Sequence, residues 1–519
     1  MPSGANLPSI EQVLEIAEDL GFELSADEAN TYCELVRGEI KTCRRLEEMV
    51  EYRPPVKYPR TVGWRPEPSD NPFNGWYWRC EIEGAPEGPL KGRTVGVKDA
   101  ICVAGVPMMN GSRVLEGFVP DVDATVVTRL LDAGATISGK TNAEDLCFSG
   151  ASHTCALGPV PNPRKPTHAA GASSNGSAVV LVTEQVDMAL GGDQGGSIRI
   201  PAAWSGVVGH KPTYGLVPYT GCMMIEMTLD HCGPMANTVE DVALMLSAIA
   251  GPDPLDPRQR GVCPPDFVRD YSPAIGKGVA GMRIGLVKEG FGQPSWEDLG
   301  HGGSEEVVDA RVRAAARRLE ERGAVVEEVS IPMHLDGVHI FTAIIREGAY
   351  EFMLKGNNTG TNWQGFYNTG VLDAVARGVA ARPNDLPPTV KLVMLTGEYL
   401  KRHYHGRYYA KAQNLRPALV RAYDDALAAH DVLVMPTVPF RATPIPPPDC
   451  PLEDYLRYAL NMSSNTSQFD VTGHPSVSVP CGMEDGLPIG MMITGRHFDD
   501  LTVLQVADAV EKSGDWKTF

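Results

Sequence analysis

The stretch GASSNGSAVVLVTEQVDMALGGDQGGSIRIP, Gly171 to Pro201, decides how the rest of this chain is read. A serine cluster opens it: Ser173, Ser174 and Ser177. A helix-like apolar run follows, then a strand that ends in two glycine pairs bracketing Asp193 and Gln194. Neither helix nor strand favours so much glycine, which loses the most backbone freedom on folding. What glycine supplies is close approach and uncovered N–H groups. A run of free N–H groups at Gln194, Gly195, Gly196 and Ser197 can point at one developing anion, as an oxyanion hole does. Ser197 would then stand where a carbonyl carbon must sit. A glycine-rich turn without a ligand is the other reading, and this segment alone leaves both open.

Outward from that stretch the chain alternates strands and helices from about residue 90. "RTVGVKD" and "ATISGKT" read as strands, and "DATVVTRLLDAG" as a helix capped by Asp123 and stopped by Gly134. "TVEDVALMLSAIAG" is a helix from Thr238, "MRIGLVKEG" a strand, and "SEEVVDARVRAAARRLEERG" a long amphipathic helix. "AVVEEVSIP", "AHDVLVMPT" and "HPSVSVPCG" are further strands. Such alternation predicts a layered α/β body with a mostly buried sheet.

Toward the N-terminus the texture is helical. Ser9 with Gln12, and Ser25 with Glu28, make two capping boxes, and Leu35, Val36 and Ile40 form an apolar face. "EYRPPVKYPR" and "RPEPSDNPFNG" then read as a linker.

The chain has 519 residues, 43% of them hydrophobic, enough for a large core. A net charge of −19 argues against a nucleic-acid or anionic-membrane surface, which needs clustered Lys and Arg. The eleven Cys include no Cys-x-x-Cys pair and read as buried free thiols of a reducing compartment. The N-terminus carries acids where a signal peptide wants basic residues, and no apolar run approaches a membrane span. The expectation is a cytoplasmic protein.

Common catalytic signatures are absent. No Ser has Gly at both −2 and +2, and there is no phosphate-binding loop or His-Glu-x-x-His. His403 and His405 lack a third ligand, so no metal is expected. A serine nucleophile still needs a base. Lys98 ends the apolar strand of "TVGVKDA", an odd place for a solvated lysine. Desolvation penalises the ammonium form, so a buried Lys can accept a proton. A surface Lys98 paired with Asp99 is the alternative.

At this point the segment 171–213 resembles the signature segment of the amidase signature family, and the resemblance runs over roughly residues 76–510. "GLVPYTG", "DVLVMPTVP", "FDVTGHPSVSVPCG" and "GLPIGMMITG" also carry it, as do the spacings of Lys98, Ser173 and Ser197. "AGVPMMNGSR", "EDLCFSG" and "GRHFDD" look like the bacterial enantioselective amidases of nitrile pathways, whose N-terminal helices serve dimerisation.

The resemblance implies an α/β fold: a large mixed β-sheet covered by helices over 76–519, with a helical, dimerising module and linker over 1–75. It implies Ser197 as nucleophile, Ser173 as proton relay, Lys98 as general base, and no cofactor. It also implies a cis peptide bond before Ser173, where Ala172 and Asn175 replace the family's usual glycines. Asp193 and Arg199 would pair beneath the loop. Phe148, Leu229 and Ser463 are the candidates for substrate contact. The expected activity is hydrolysis of a small-molecule carboxamide through an acyl-enzyme. Carbamate ester (urethane) hydrolysis with the same residues is one alternative. Ammonia release as the glutamine-hydrolysing component of a tRNA-dependent amidotransferase is another.

Overall fold

Residues 5–264, 267, 269–295 and 302–519 are described by a computed structural model. The chain divides into two units, Met1–Pro54 and Pro55–Phe519.

In the first unit, α1 (Ile10–Asp19) and α2 (Ala26–Glu47) both begin at capping boxes. Ser9 Oγ accepts from Gln12 N–H at 3.2 Å, and Gln12 Oε1 accepts from Ser9 N–H at 2.9 Å. Ser25 and Glu28 repeat the exchange at 3.3 and 2.9 Å. Each box satisfies helix-end donors that have no partner of their own. Val13, Ala17, Ala29 and Cys33 are buried here. Leu35, on the apolar face read from the sequence, is 61% exposed.

Among its described residues the second unit holds thirteen strands. In chain order they are β1 (Trp76–Glu83), β2 (Thr94–Lys98), β3 (Thr136–Thr141), β4 (Pro161–Asn162), β5 (Lys165–Ala169), β6 (Met188–Asp193) and β7 (Val208–Lys211). Then come β8 (His231–Ala236), β9 (Arg283–Val287), β10 (Val325–Val329), β11 (Val432–Pro436), β12 (Ser476–Glu484) and β13 (Leu487–Thr494). Eleven form one sheet in the order β1-β3-β2-β6-β8-β7-β12-β13-β11-β9-β10, and β4 pairs with β5 apart from it. The sheet is mixed: β2 runs parallel to β3 and β6, while β6 is antiparallel to β8.

The helices of this unit are α3 (Thr125–Asp132), α4 (Asn175–Val182), α5 (Arg199–Ser205), α6 (Val239–Ile249), α7 (Glu306–Glu320) and α8 (Met333–Ala349). They continue with α9 (Thr369–Ala381), α10 (Pro388–Tyr404), α11 (Arg407–Ala429), α12 (Leu452–Leu460), α13 (Ser467–Thr472) and α14 (Asp500–Glu511). No described helix is long and apolar enough to cross a membrane.

Two local readings change. Part of the expected linker belongs to the body, because Trp64 exchanges both backbone hydrogen bonds with Arg79 at 2.8 Å. Asp123 does not cap α3, whose N-cap is Ala124. Its carboxylate accepts instead from Ala104 N–H at 2.9 Å and pairs with Arg60, and a side chain so engaged is lost to the helix end.

The parallel pairing of β2 with β6 places the site. Val97 lies opposite Leu190, so both strands end at the same edge of the sheet. Lys98 closes one strand and Asp193 the other.

Candidate active site

Lys98 is completely buried. Its Nζ lies 2.7 Å from Ser173 Oγ and donates to Gly192 O at 3.1 Å. Ser173 lies two residues before α4, and its backbone N–H donates to Ser197 Oγ at 3.2 Å. Three residues from three separate segments thus meet in one chain of contacts. Asp99 is not the partner of Lys98. It is taken by Lys140 at 2.9 Å and by the N–H groups of Met109 and Asn110 at 2.9 and 2.7 Å.

The loop that carries Ser197 is braced from within. Asp193 accepts from Arg199 Nε and Nη2, each at 3.0 Å, and from Ile198 N–H at 3.0 Å. Arg199 also reaches Asp470 at 2.8 Å and Thr466 O at 2.9 Å. Burial alone would raise the Asp193 carboxyl, but the Arg199 guanidinium overcomes it and holds the group well below the usual carboxylate range. Asp470 shares that guanidinium, and burial together with the Asp193 charge pushes it up.

The run of free N–H groups is shorter than the sequence suggests. Gly196 N–H donates to Asp193 Oδ1 at 2.5 Å. Among the described residues the N–H groups of Gln194, Gly195 and Ser197 have no protein acceptor. Gly196 serves the loop in another way. Its φ is +134°, and a Cβ there would come within 2.4 Å of Thr466 Oγ1 and 2.5 Å of Ile200 Cδ1. Thr466 Oγ1 donates to Gly195 O at 2.6 Å, so the Gly195–Gly196 peptide is held at its carbonyl by Thr466 and at its N–H by Asp193.

The two replaced glycines have identifiable surroundings. Ala172 sits at φ +43°, a region where a Cβ costs roughly 1–2 kcal/mol, and its N–H donates to Gly150 O at 2.6 Å. The expected cis bond before Ser173 is absent; no peptide bond among the described residues is cis. Asn175 Nδ2 donates to Glu144 Oε1 at 3.0 Å, tying the start of α4 to the segment before the pocket.

Ser197 opens on a cavity of 430 Å³ with a mainly apolar wall. Phe148 and Ser463 line it, as does Gln194, whose side chain donates to Tyr219 Oη at 2.8 Å. Leu229 is not on the wall. It is wholly buried in the core, and its carbonyl is bonded to His231 Nδ1 at 2.7 Å. The sequence reading missed Phe341, Thr342 and Arg346 of α8, and Leu456 and Leu460 of α12, which complete the cavity.

Among the described residues, Asp424, His474 and His497 form one group with a cation's donor set, their ligand atoms within 4.8 Å of one another. Histidine spacing does not show it, because the three come from three separate segments. Their hydrogen bonds close without an ion. His474 Nε2 lies 3.1 Å from Asp424 and its Nδ1 2.9 Å from Thr472 Oγ1, while His497 Nε2 meets Thr472 O at 2.9 Å.

The comparisons with known proteins point one way. The family model described as Amidase matches residues 78–504. The chain is 48% identical over 471 residues to the enantioselective amidase of Rhodococcus rhodochrous, covering 90% of this chain and 87% of that one. It is 37% identical to a glutamyl-tRNA(Gln) amidotransferase subunit of Methanosarcina acetivorans, covering 85% and 88%. Among solved structures it resembles the peptide amidase of Stenotrophomonas maltophilia, with a TM-score of 0.67 and 30% identity over 82% of this chain and 83% of that one.

Proposed function

The chain belongs to the amidase signature family and is an amide hydrolase, and from that premise we propose that Ser197 is its nucleophile, Ser173 its proton relay and Lys98 its base. One observation carries this reading: the contact chain from Lys98 Nζ to Ser173 Oγ, and from the Ser173 N–H to Ser197 Oγ, ends at the cavity. Lys98 in its amine form donates to Gly192 O and turns its lone pair to the Ser173 hydroxyl. Ser197 Oγ attacks the amide carbon as its proton passes to Ser173 Oγ, and the Ser173 proton passes to Lys98. The carbonyl oxygen becomes an oxyanion facing the unpartnered N–H groups of Gln194 and Gly195. Collapse breaks the C–N bond, and the proton returns through Ser173 to the leaving nitrogen. Water repeats the sequence on the ester and releases the acid.

The likeness to an enantioselective amidase exceeds that to the amidotransferase proteins, which favours a hydrolase acting alone. We place it in the cytoplasm as a homodimer, its first unit presenting Leu14, Ile16, Leu20, Phe22 and Leu35 as exposed apolar side chains. A carbamate ester would react through the same atoms, so a substrate panel includes ethyl carbamate beside aliphatic amides, aromatic amides and anilides.

The decisive test is labelling with a serine-directed phosphonate. Peptide mapping should place the adduct on Ser197. Lys98→Arg, whose guanidinium stays protonated, should lower both the labelling rate and kcat/KM by about 10³-fold. An adduct on another residue, or a Lys98→Arg enzyme near wild-type activity, rejects these roles.

A further inference from the structure

The cavity contains a cation that the protein does not neutralise. Arg346, on α8, lines the wall. Its side chain has no hydrogen bond or ion pair to another described residue, and its Nη1 is buried without a partner. The ring of Phe148 faces it, with its centroid 5.5 Å from the guanidinium carbon. Burial pushes this guanidinium down to about 10, with no carboxylate to offset the effect.

Arg346 is half-buried as a residue; the two fully buried arginines show how this chain treats such a charge. Arg199 holds Asp193 and Asp470, and Arg258 holds Asp256 at 2.9 Å. Arg346 has acidic neighbours that do not serve it. Glu347, next in sequence, accepts from Tyr409 N–H at 2.8 Å. Glu453 lines the same cavity but makes no ion pair with Arg346. Arg457, the other cation on the wall, is already paired with Asp454 at 2.7 Å.

An unmatched guanidinium in a largely apolar cavity is unfavourable unless a ligand completes it. A planar fork of donors fits a carboxylate in two-point contact.

We propose that Arg346 is an anion subsite, and that the physiological substrate is an amide that also bears a carboxylate on an apolar body. The proposal rests on the reading that Ser197 cleaves an amide in this cavity. The carboxylate is carried either by the acyl part or by the leaving amine, and pairs with and without the acid separate the two. On the acyl side the pair is 4-carbamoylbenzoate and 4-methylbenzamide. On the leaving side it is 4-acetamidobenzoate and 4-methylacetanilide.

The wild-type enzyme should favour the acid in one pair by about tenfold or more in kcat/KM. Arg346→Gln should lower that ratio by about 10- to 100-fold, as expected for loss of a charge-assisted hydrogen bond. Arg346→Lys should restore part of it. Each ratio is taken within one preparation, so a loss of folded enzyme cancels.

Calorimetry with terephthalate needs no turnover. Ser197→Ala should bind it about tenfold or more tightly than Ser197→Ala/Arg346→Gln. Failure to hydrolyse any amide would reject the serine-hydrolase reading, and calorimetry would still decide the subsite. Equal binding of terephthalate by the two Ser197→Ala proteins, or no acid preference in either pair, overturns the proposal.

Discussion

The two sides of the cavity are built on opposite terms. On the side of β2, β6 and α4, buried polar groups are held by one another. Lys98 has Ser173 and Gly192, Asp193 has Arg199, Asp99 has Lys140, and Asn175 has Glu144. On the side of α8 and α12 the wall is largely apolar, and the half-buried Arg346 is left without a partner among the described residues. A group whose bonds are all satisfied within the protein stays where it is, which suits atoms that must meet a reacting carbon in one geometry. A group left unsatisfied is available to a ligand, which suits selection of the substrate. The difference separates what must be fixed for the chemistry from what must remain free for recognition.

That comparison breaks most readily at Gly196. In Gly196→Ala the new Cβ meets Thr466 Oγ1 and Ile200 at a φ of +134°, so the loop must shift. A displacement of a fraction of an ångström at the proposed oxyanion donors should lower kcat by about 10²-fold. Steady-state kinetics with circular dichroism checks this, and an enzyme with unchanged kcat would show that the loop need not be fixed.

The opposite wall should respond differently. Phe148→Ala removes apolar contact without touching the donors, so KM should rise about tenfold while kcat changes less. A loss confined to kcat would erase the distinction between the two sides.

The smallest effect is expected behind the fixed side and is read in stability. Lys211 Nζ donates to His474 O at 2.7 Å, and burial, followed by the Arg199 charge, lowers its pKa from 10.5 to about 7. Between those values the unfolded chain binds a proton that the folded chain does not. Stability therefore rises with pH from about 7 to 10.5. Lys211→Met should lose that slope, which urea denaturation at several pH values measures. A variant keeping the full slope would assign it to another group.

The fixed side was legible in the sequence because its residues lie in short, unusual stretches. Lys98 ends an apolar strand, and Ser173 and Ser197 bracket one glycine-rich segment, so local pattern exposed them. Gly196 was misjudged because the acceptor for its N–H is a side chain three residues away, and a glycine run does not reveal where that carboxylate turns. Asp470 was missed because it meets Arg199 from 271 positions along the chain. The wall of α8 and α12 was illegible for a related reason. Phe341, Arg346 and Leu460 lie in stretches to which the sequence reading assigned no role, and only tertiary packing gives them a common cavity. Leu229 illustrates the converse, a residue beside a recognised motif that packs into the core instead.

The brace from Asp193 through Arg199 to Asp470 also orders events during synthesis. All three proposed reacting residues have been translated once the ribosome passes residue 197, but the far end of the brace lies on α13, 271 positions beyond Arg199. Contacts that span most of a sequence form late. An emerging polypeptide thus carries the three proposed reacting residues without the anchor of their loop until Asp470, 271 positions beyond Arg199, has been made. On the proposed reading, hydrolytic competence waits for the synthesis of α13.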